Sequence, residues 1–152
     1  MSASEKAYWL DQLINGPGGG SSVTGLYPGP LTAFNPLSNG WAVNTGIGVS
    51  GVWVRYYPLL RAVFMSAMMT CGTTTDGTQI ATVPATDSAG NPLRPSQIVT
   101  VNLSTDSQRI AAGSNNEGAR CHLGSGGSLT VFGVSASATV GEISAWYHVD
   151  PL

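Results

Sequence analysis

Short segments of alternating apolar and polar residues, separated by glycine-, proline- and asparagine-rich turns, run through this chain from residue 41 onward. The segments return at a spacing of about 8–12 residues, and no segment after residue 20 has the period of an amphipathic helix. This pattern is typical of strands that bury one face and expose the other. It predicts an all-β domain, a β-sandwich or jelly roll.

The longest predicted strand, 60–70 (LRAVFMSAMMT), is apolar on both faces. A strand of this kind lies inside a sandwich or against a neighbouring subunit. The second alternative makes Val63, Met65 and Met69 candidate subunit-interface residues, together with Trp53, which alternation turns away from its apolar neighbours. The other strands are predicted at 52–57, 78–83, 97–103, 107–112, 119–123, 128–134 and 139–149.

Residues 72–84, GTTTDGTQIATVP, combine a polar connector, a turn and a strand. The three threonines favour extended backbone, and Asp76-Gly77 is a turn signal because glycine adopts positive φ without steric cost. Residues 78–83 then alternate as a strand, which Pro84 ends. The segment is therefore predicted to have a structural role, as a connector, a turn and a strand.

The N-terminal segment 2–15, SASEKAYWLDQLIN, differs from the rest of the chain. Ser2 and Glu5 fit a capping box, and an apolar stripe follows at helical spacing, which predicts a short α-helix. The stripe consists of Trp9, Leu10, Leu13 and Ile14. A helix of about 12 residues is marginal alone in water, so it must dock on its own domain, a sister copy or another partner.

The segment GPGGGSS at 16–22 has the composition of a flexible linker, which favours docking of the helix on a partner. We therefore expect an anchor helix at 1–16, a Gly/Pro-rich linker and extended arm at 17–40, and the β-sandwich at 41–152. The prolines of the arm at 23–40 exclude it from a central sheet position.

Charge is scarce in this chain of 152 residues, with six basic and eight acidic residues and a net charge of −2. Nucleic-acid binding needs clustered Lys and Arg, whereas Lys6 is the only lysine, so we expect no nucleic-acid partner. No apolar run reaches the roughly 18 residues of a membrane span, and the first residues lack the basic-then-apolar order of a signal peptide. Cys71 and Cys121 are predicted to be free thiols.

Catalytic signatures are weak. The sequence lacks the G-x-S-x-G elbow and the P-loop lysine, and His122 with His148 would supply at best two imidazoles to a metal. Asp76, Asp87, Asp106 and Glu117 fall in predicted turns, where side-chain carboxylates bond to the backbone. We expect no enzymatic activity, cofactor or metal; the alternative is a glycosidase that uses two of these carboxylates.

Exposed aromatic rings beside polar groups would suit carbohydrate binding. The candidates are Trp41, Trp53, Tyr57, Trp146 and Tyr147, with Trp146 and Tyr147 favoured as glycan contacts. The competing interpretation places these rings in the sandwich core, where large aromatic residues are common.

Several phrases resemble C-terminal β modules of bacteriophage tail-fibre and minor tail proteins. They are GTTTDGTQIATVPA at 72–85, the P-x-R-P turn at 92–95, GSLTVFG at 127–133 and the closing SAWYHVDPL at 144–152, within a resemblance that covers roughly 38–152. The resemblance implies a homotrimeric β-sandwich on a virion surface, in contact with other virion proteins and often with a host receptor.

This chain departs from the family pattern in two respects. It carries an insert, TDSAGN, before the R-P turn, and it has no long fibrous shaft. A short anchor plus one sandwich also describes a capsid decoration protein or head fibre, so tail and capsid both remain open. The sequence thus predicts a structural protein displayed on a phage particle, with a receptor- or glycan-binding module as the alternative.

Overall fold

Two strands of nine residues, β4 (Ala62–Thr70) and β10 (Val140–His148), lie side by side in the larger sheet of this computed structural model. The structure describes residues 27–34, 36–45, 51–106 and 118–150. The two strands pair antiparallel along their whole length, from Val140 opposite Thr70 to His148 opposite Ala62. Buried and more exposed residues alternate along both, because successive side chains of a strand point to opposite faces.

The larger sheet contains four further strands within the described residues. They are β1 (Thr32–Ala33), β2 (Ala42–Val43), β3 (Val52–Tyr57) and β7 (Ser104–Thr105). The strand order is β1-β3-β4-β10-β7, and β2 also pairs with β4. A 3-10 turn, Pro58–Leu60, connects β3 to β4.

The smaller sheet has four strands in the described part of the chain. They are β5 (Thr78–Thr82), β6 (Val99–Asn102), β8 (Arg120–Leu123) and β9 (Ser128–Phe132), in the order β5-β9-β8-β6. These strands lie where the sequence predicts them, and the all-β sandwich is confirmed. The predicted strand at 107–112 and the predicted helix at 1–16 lie outside the described residues.

The core is formed between the two sheets. Val63, Met65 and Met69 of β4 are fully buried and belong to the same apolar cluster as Leu123 and Leu129 of the smaller sheet. Of the two sites offered for the two-sided strand 60–70, the structure therefore supports the interior of the sandwich. Val63, Met65 and Met69 are core residues, and their prediction as subunit-interface residues is corrected.

The segment 72–84 serves shape, as its sequence predicts. It leads from β4 in one sheet to β5 in the other, and the Thr73 amide donates to the Asn39 carbonyl over 2.9 Å. The Trp41 indole donates to the Thr73 carbonyl over 2.9 Å. Gly72 is needed there, because a Cβ at this position would collide with the backbone of residues 39–41. Gly77 takes the positive φ of 83° that the Asp-Gly signal predicts.

The arm predicted at 23–40 is described from residue 27, except for residue 35. It contributes β1, which pairs with β3 at an edge of the larger sheet, a place that prolines tolerate. The Gly29 amide donates to the Tyr56 carbonyl over 2.7 Å, and the Arg55 Nε donates to the Gly29 carbonyl over 2.7 Å. The described part of the arm is thus fastened to its own domain.

Candidate binding surface

A row of aromatic side chains covers the outer face of the larger sheet. Val52 and Val54 of β3 are buried, so alternation turns Trp53 and Tyr57 outward. On β4 and β10 the same rule turns out Phe64 and Trp146, which lie opposite each other in the strand register. We call Trp53, Phe64, Trp146 and Tyr57 the aromatic row.

The rings of the aromatic row support one another. The Phe64 ring centroid lies 5.7 Å from that of Trp53 and 5.0 Å from that of Trp146. Tyr57 meets Trp146 edge-on at 4.8 Å, and the Arg55 guanidinium lies 5.9 Å from the Tyr57 ring centroid. These separations are in the favourable range for tilted and edge-to-face pairs. Trp146 is nevertheless 53% exposed, so a held indole is presented to solvent.

A groove of about 430 Å³ begins at Trp146. It runs between the last residues of β10 and the segment that leads into β6. The Ser96 amide fastens this segment to the Val149 carbonyl over 3.1 Å, while Ile98 stands 70% exposed. The groove is lined by Pro95, Ser96, Gln97, Ile98, Val99, Thr100, Trp146, Tyr147, His148 and Asp150.

The groove exists because β10 loses its second neighbour. On the side away from β4, the described part of β7 pairs only with Gly141 and Glu142 of β10. Preceding β7 along the chain, β6 belongs to the other sheet and pairs with β8. The two sheets therefore separate along the last residues of β10, which leaves a strand edge beside an opening.

The exposed edge of β10 also brings backbone groups to the groove. The Val149 amide donates to the Arg61 carbonyl over 3.4 Å, which assigns the odd-numbered residues of β10 to bonding with β4. Antiparallel ladders alternate, so the N–H and C=O groups of Trp146 and His148 point away from β4, toward the side of the groove. Within the described residues no strand pairs with them there.

The groove has little net charge. Asp150 is the acidic residue of its lining, and its Oδ2 accepts from the Arg61 guanidinium at 2.6 Å. Among the described residues, the lining contains no lysine or arginine. Hydroxyls of Ser96 and Thr100, the Gln97 amide and the His148 imidazole supply the remaining polar side chains.

Tyr147, predicted with Trp146 as a glycan contact, points the other way. It is 4% exposed, and its hydroxyl donates to the Leu93 carbonyl over 2.7 Å. Burial raises the pKa of this hydroxyl, which keeps it protonated as a donor. The physical reason is alternation, since adjacent strand residues take opposite faces. Tyr147 is thus corrected to a core residue, whereas Trp146 stands at the surface.

The other predicted contact residues have mixed positions. Trp41 is buried at 3% exposure, and Trp53 lies on the outer face of the larger sheet. Its role at a subunit interface stays a prediction. The anchor residues Trp9, Leu10, Leu13 and Ile14 lie outside the described residues.

Carboxylates of the loops accept hydrogen bonds from backbone amides, as the sequence predicts; those of Asp87 lie within its own turn, whereas those of Asp76 and Asp106 come from distant segments. Asp87 accepts from the amides of Ala89 and Asn91 at 2.8 and 2.9 Å, and Asp76 accepts from the Gly133 amide at 2.8 Å. Asp106 accepts from the amides of Thr139 and Val140 and from the Thr139 hydroxyl. These bonds lower the pKa of Asp106. Glu117 lies outside the described residues.

The two histidines do not meet. His122 lies on β8 in the smaller sheet, with its ring centroid 4.4 Å from that of Phe132, whereas His148 lies on β10 in the larger one. Across the described ranges, no group of three or more His, Cys, Asp and Glu residues is placed to hold a metal ion. Nor does any helix in those ranges have the length and apolarity to cross a membrane.

Cys71 and Cys121 are free thiols, which confirms the prediction. Burial, assisted by the charge of Asp106, raises the pKa of Cys71 to about 11. Burial alone raises the pKa of Cys121 to about 12. Both sulfurs are therefore protonated, weakly nucleophilic and suited to packing.

The sequence did not predict the groove or the residues that lie beside Trp146. Alternation from the buried Val52 and Val54 already places Trp53 and Tyr57 on one face, and this signal identifies half of the aromatic row. The approach of residues 95–100 to β10 depends on where two sheets separate, for which the sequence carries no local signal.

Fold and surface together define a class: a two-sheet antiparallel sandwich with an aromatic outer face and a neutral edge groove. No protein-family model matches the chain, and no curated protein matches it. The fold is similar to the crystal structure of the receptor binding protein of Listeria phage PSA, with a TM-score of 0.52 and 18% sequence identity. The likeness covers 95% of this chain and 72% of that one. At this identity it establishes a shared fold.

Proposed function

We propose that this chain is a bacteriophage virion-surface protein that takes part in attachment to the host cell. The observation that carries the proposal is the structural likeness to a phage receptor binding protein along 95% of the chain. The sequence motifs that resemble phage tail proteins support the same proposal independently of the structural likeness. A shared fold alone leaves function open, so the surface of this chain must supply further support.

The aromatic row supplies that support. Trp146 is held by Phe64 and Tyr57 yet is 53% exposed, and Ile98 across the groove is 70% exposed. Large apolar side chains presented by a rigid sheet mark binding surfaces in soluble proteins. A module that must recognise a cell surface needs such a preorganised patch.

Competition for adsorption tests this function. Purified protein, added to susceptible bacteria before a phage that carries this chain, is expected to lower the number of adsorbed particles in proportion to its concentration. Fluorescently labelled protein should bind the same cells, and a sandwich protein of similar size from a non-viral source is the control. Failure both to bind the cells and to reduce adsorption would contradict the proposal.

Gold-labelled antibody against the chain gives an independent readout. We expect label on intact particles, and its position separates a tail-tip protein from a capsid decoration or head-fibre protein. Particles free of label would exclude a virion-surface location.

The finer proposal is a homotrimer attached through the N-terminal segment. Self-association is supported by exposed apolar residues of the arm and of the 3-10 turn: Tyr27 (65%), Leu31 (59%), Leu59 (70%) and Leu60 (56%). Light scattering coupled to gel filtration should report three times the monomer mass of 15.6 kDa. A monomer at micromolar concentration would contradict the trimer.

Attachment through residues 2–15 is tested on particles. Trp9→Asp combined with Leu13→Asp should leave the sandwich folded and prevent incorporation, because charged residues would replace the apolar stripe of the predicted helix. Normal incorporation of this double variant would refute the anchor.

The proposed role is binding without catalysis. The carboxylates of Asp76, Asp87 and Asp106 accept hydrogen bonds from backbone amides, which supports a structural role for them. Incubation with host polysaccharide should release no reducing sugar. If the wild-type protein releases reducing sugar and Asp76→Asn or Asp106→Asn abolishes that release, the glycosidase alternative is established instead.

A further inference from the structure

We propose that the groove beside Trp146 is a binding site for an uncharged saccharide. The inference rests on the proposed function, because it names the chemistry that a host-attachment surface would recognise. It is carried by three properties of the groove: a supported exposed ring, a mixed set of hydrogen-bonding groups, and a lining whose described residues include no lysine or arginine.

The first of these properties is the exposed ring of Trp146. Trp146 packs against Phe64 and Tyr57 at interplanar angles of 50° and 61°, so its neighbours hold it by tilted contacts. A held indole loses little conformational entropy when a ligand packs on it. The apolar C–H face of a pyranose ring is a suitable partner, and Ile98 offers further apolar surface along the same groove.

Hydrogen-bonding groups surround that apolar surface. Ser96 and Thr100 carry hydroxyls that both donate and accept, and the Gln97 amide does the same. The outward-facing N–H and C=O groups of Trp146 and His148 add a backbone donor and acceptor pattern. Saccharide hydroxyls also donate and accept, so they match a mixed set better than carboxylates or phosphates, which only accept.

Charge narrows the ligand class. Sites for phosphate and carboxylate commonly use Lys or Arg, and the described lining of the groove has neither. The Arg61 guanidinium is paired with Asp150 at 2.6 Å, so this carboxylate of the lining is compensated and the groove has little net charge. The site therefore selects neutral sugars over phosphate-bearing or acidic ones.

Size agrees with a small glycan. A volume of about 430 Å³ falls in the lower part of the range of roughly 300–1,000 Å³ for small-ligand sites. Such a groove accommodates about one or two sugar rings. Affinity for one copy is then expected to be low, and several copies on a particle would raise it through effective concentration.

Titration of the full chain with defined probes tests the site. The probes are glucose, galactose, rhamnose, N-acetylglucosamine and their disaccharides, with glycerol phosphate as the anionic probe, each followed by saturation-transfer NMR and calorimetry. At least one neutral probe should bind, and Trp146→Ala should weaken it by at least about tenfold, since the main apolar contact is lost.

Phe132→Ala is the control. It removes an aromatic ring that packs on His122 in the smaller sheet, outside the groove and the aromatic row, and should change affinity by less than about twofold. Gln97→Ala is a second groove variant that leaves the aromatic row intact, and it should also weaken binding. Thermal unfolding of each variant verifies that the sandwich is formed.

The outcomes separate the two proposals. The inference is overturned if no neutral probe binds, if Trp146→Ala binds as wild type, if Trp146→Ala and Phe132→Ala lose binding equally, or if glycerol phosphate binds better. Should the protein still block phage adsorption in any of these cases, host attachment stands and uses another surface. Loss of adsorption blocking in Trp146→Ala, with Phe132→Ala unaffected, supports both.

Discussion

The hydroxyl of Tyr147 donates a hydrogen bond of 2.7 Å to the backbone carbonyl of Leu93, 54 residues earlier in the chain. Both residues are buried. The bond ties β10 to the loop that follows β5, next to the groove. The residue beside Tyr147, Trp146, faces solvent, so one dipeptide serves the core and the surface.

Tyr147→Phe should destabilise the protein by about 1–3 kcal/mol, because the buried Leu93 carbonyl loses its partner. Urea unfolding followed by fluorescence measures the free energy of unfolding. Tyr27→Phe is the control, since its ring is 65% exposed, and it should lie within about 0.5 kcal/mol of wild type. Equal stability of Tyr147→Phe and wild type would contradict the structural role of this bond.

Gly127→Ala and Gly90→Ala should differ strongly in stability although both glycines have positive φ, 88° and 83°. At Gly90 a Cβ meets nothing within 4 Å, so only the left-handed backbone costs energy, about 1–2 kcal/mol. At Gly127 a Cβ would also collide with the Val83 carbonyl and the Arg94 guanidinium, which bond to each other over 2.8 Å.

We therefore expect the midpoint of thermal unfolding to fall clearly further for Gly127→Ala than for Gly90→Ala. Differential scanning calorimetry on both variants checks this order. Equal midpoints would show that the contact between the 127 turn and the Val83–Arg94 pair is not tight.

Stability should decline in acid partly through Asp106. Hydrogen bonds from Thr139 and Val140 lower the pKa of this carboxyl below its ordinary 3.8. The ionised form of Asp106 is therefore more stable in the folded protein than in the unfolded chain. The contribution is fully present above about pH 3.8 and is lost as the pH falls through the lower folded pKa. Asp106→Asn should have a lower melting temperature at pH 6, and the difference from wild type should shrink toward pH 2.

Asp150→Asn is the control for that series, because its partner Arg61 is 71% exposed and exposed ion pairs contribute little. Its melting temperature should follow wild type over the same range. A constant difference between Asp106→Asn and wild type at every pH would argue against the ionised capping role.

Both thiols should react slowly in the folded protein. Because the thiolate is the nucleophile, pKa values of about 11 for Cys71 and about 12 for Cys121 leave little reactive form at pH 8. A dithiobis-nitrobenzoate assay should detect two thiols promptly in guanidinium and only slow release without it. Rapid reaction of either cysteine under native conditions would contradict the burial described here.

Period-two patterning predicted most of this fold because each strand buries one face. The strands at 52–57, 60–70, 78–83, 97–103, 119–123, 128–134 and 139–149 all have counterparts. The same rule separates Trp146 from Tyr147, and applying it to that pair would have placed the tyrosine inside. Its neighbours in space, such as Leu93, were beyond prediction because sequence patterns do not give contacts between distant segments.

Strand 60–70 shows a second limit. Apolar residues on both faces left the sandwich interior and a subunit interface equally consistent with the sequence. The structure places Met65 and Met69 in the core and Phe64 outside with Trp53 and Trp146. Only the pairing of β4 with β3 and β10 shows that its outer face is filled by aromatic neighbours.

The neutrality of the groove bears on where such a protein can work. Arg61 and Asp150 form an ion pair at an exposed position beside it. Dissolved electrolytes weaken attraction between charges, with a screening length of about 8 Å at physiological ionic strength, but they barely affect ring stacking or bonds to hydroxyls. The affinity of adhesion through Trp146 and its polar surroundings would therefore depend little on ionic strength.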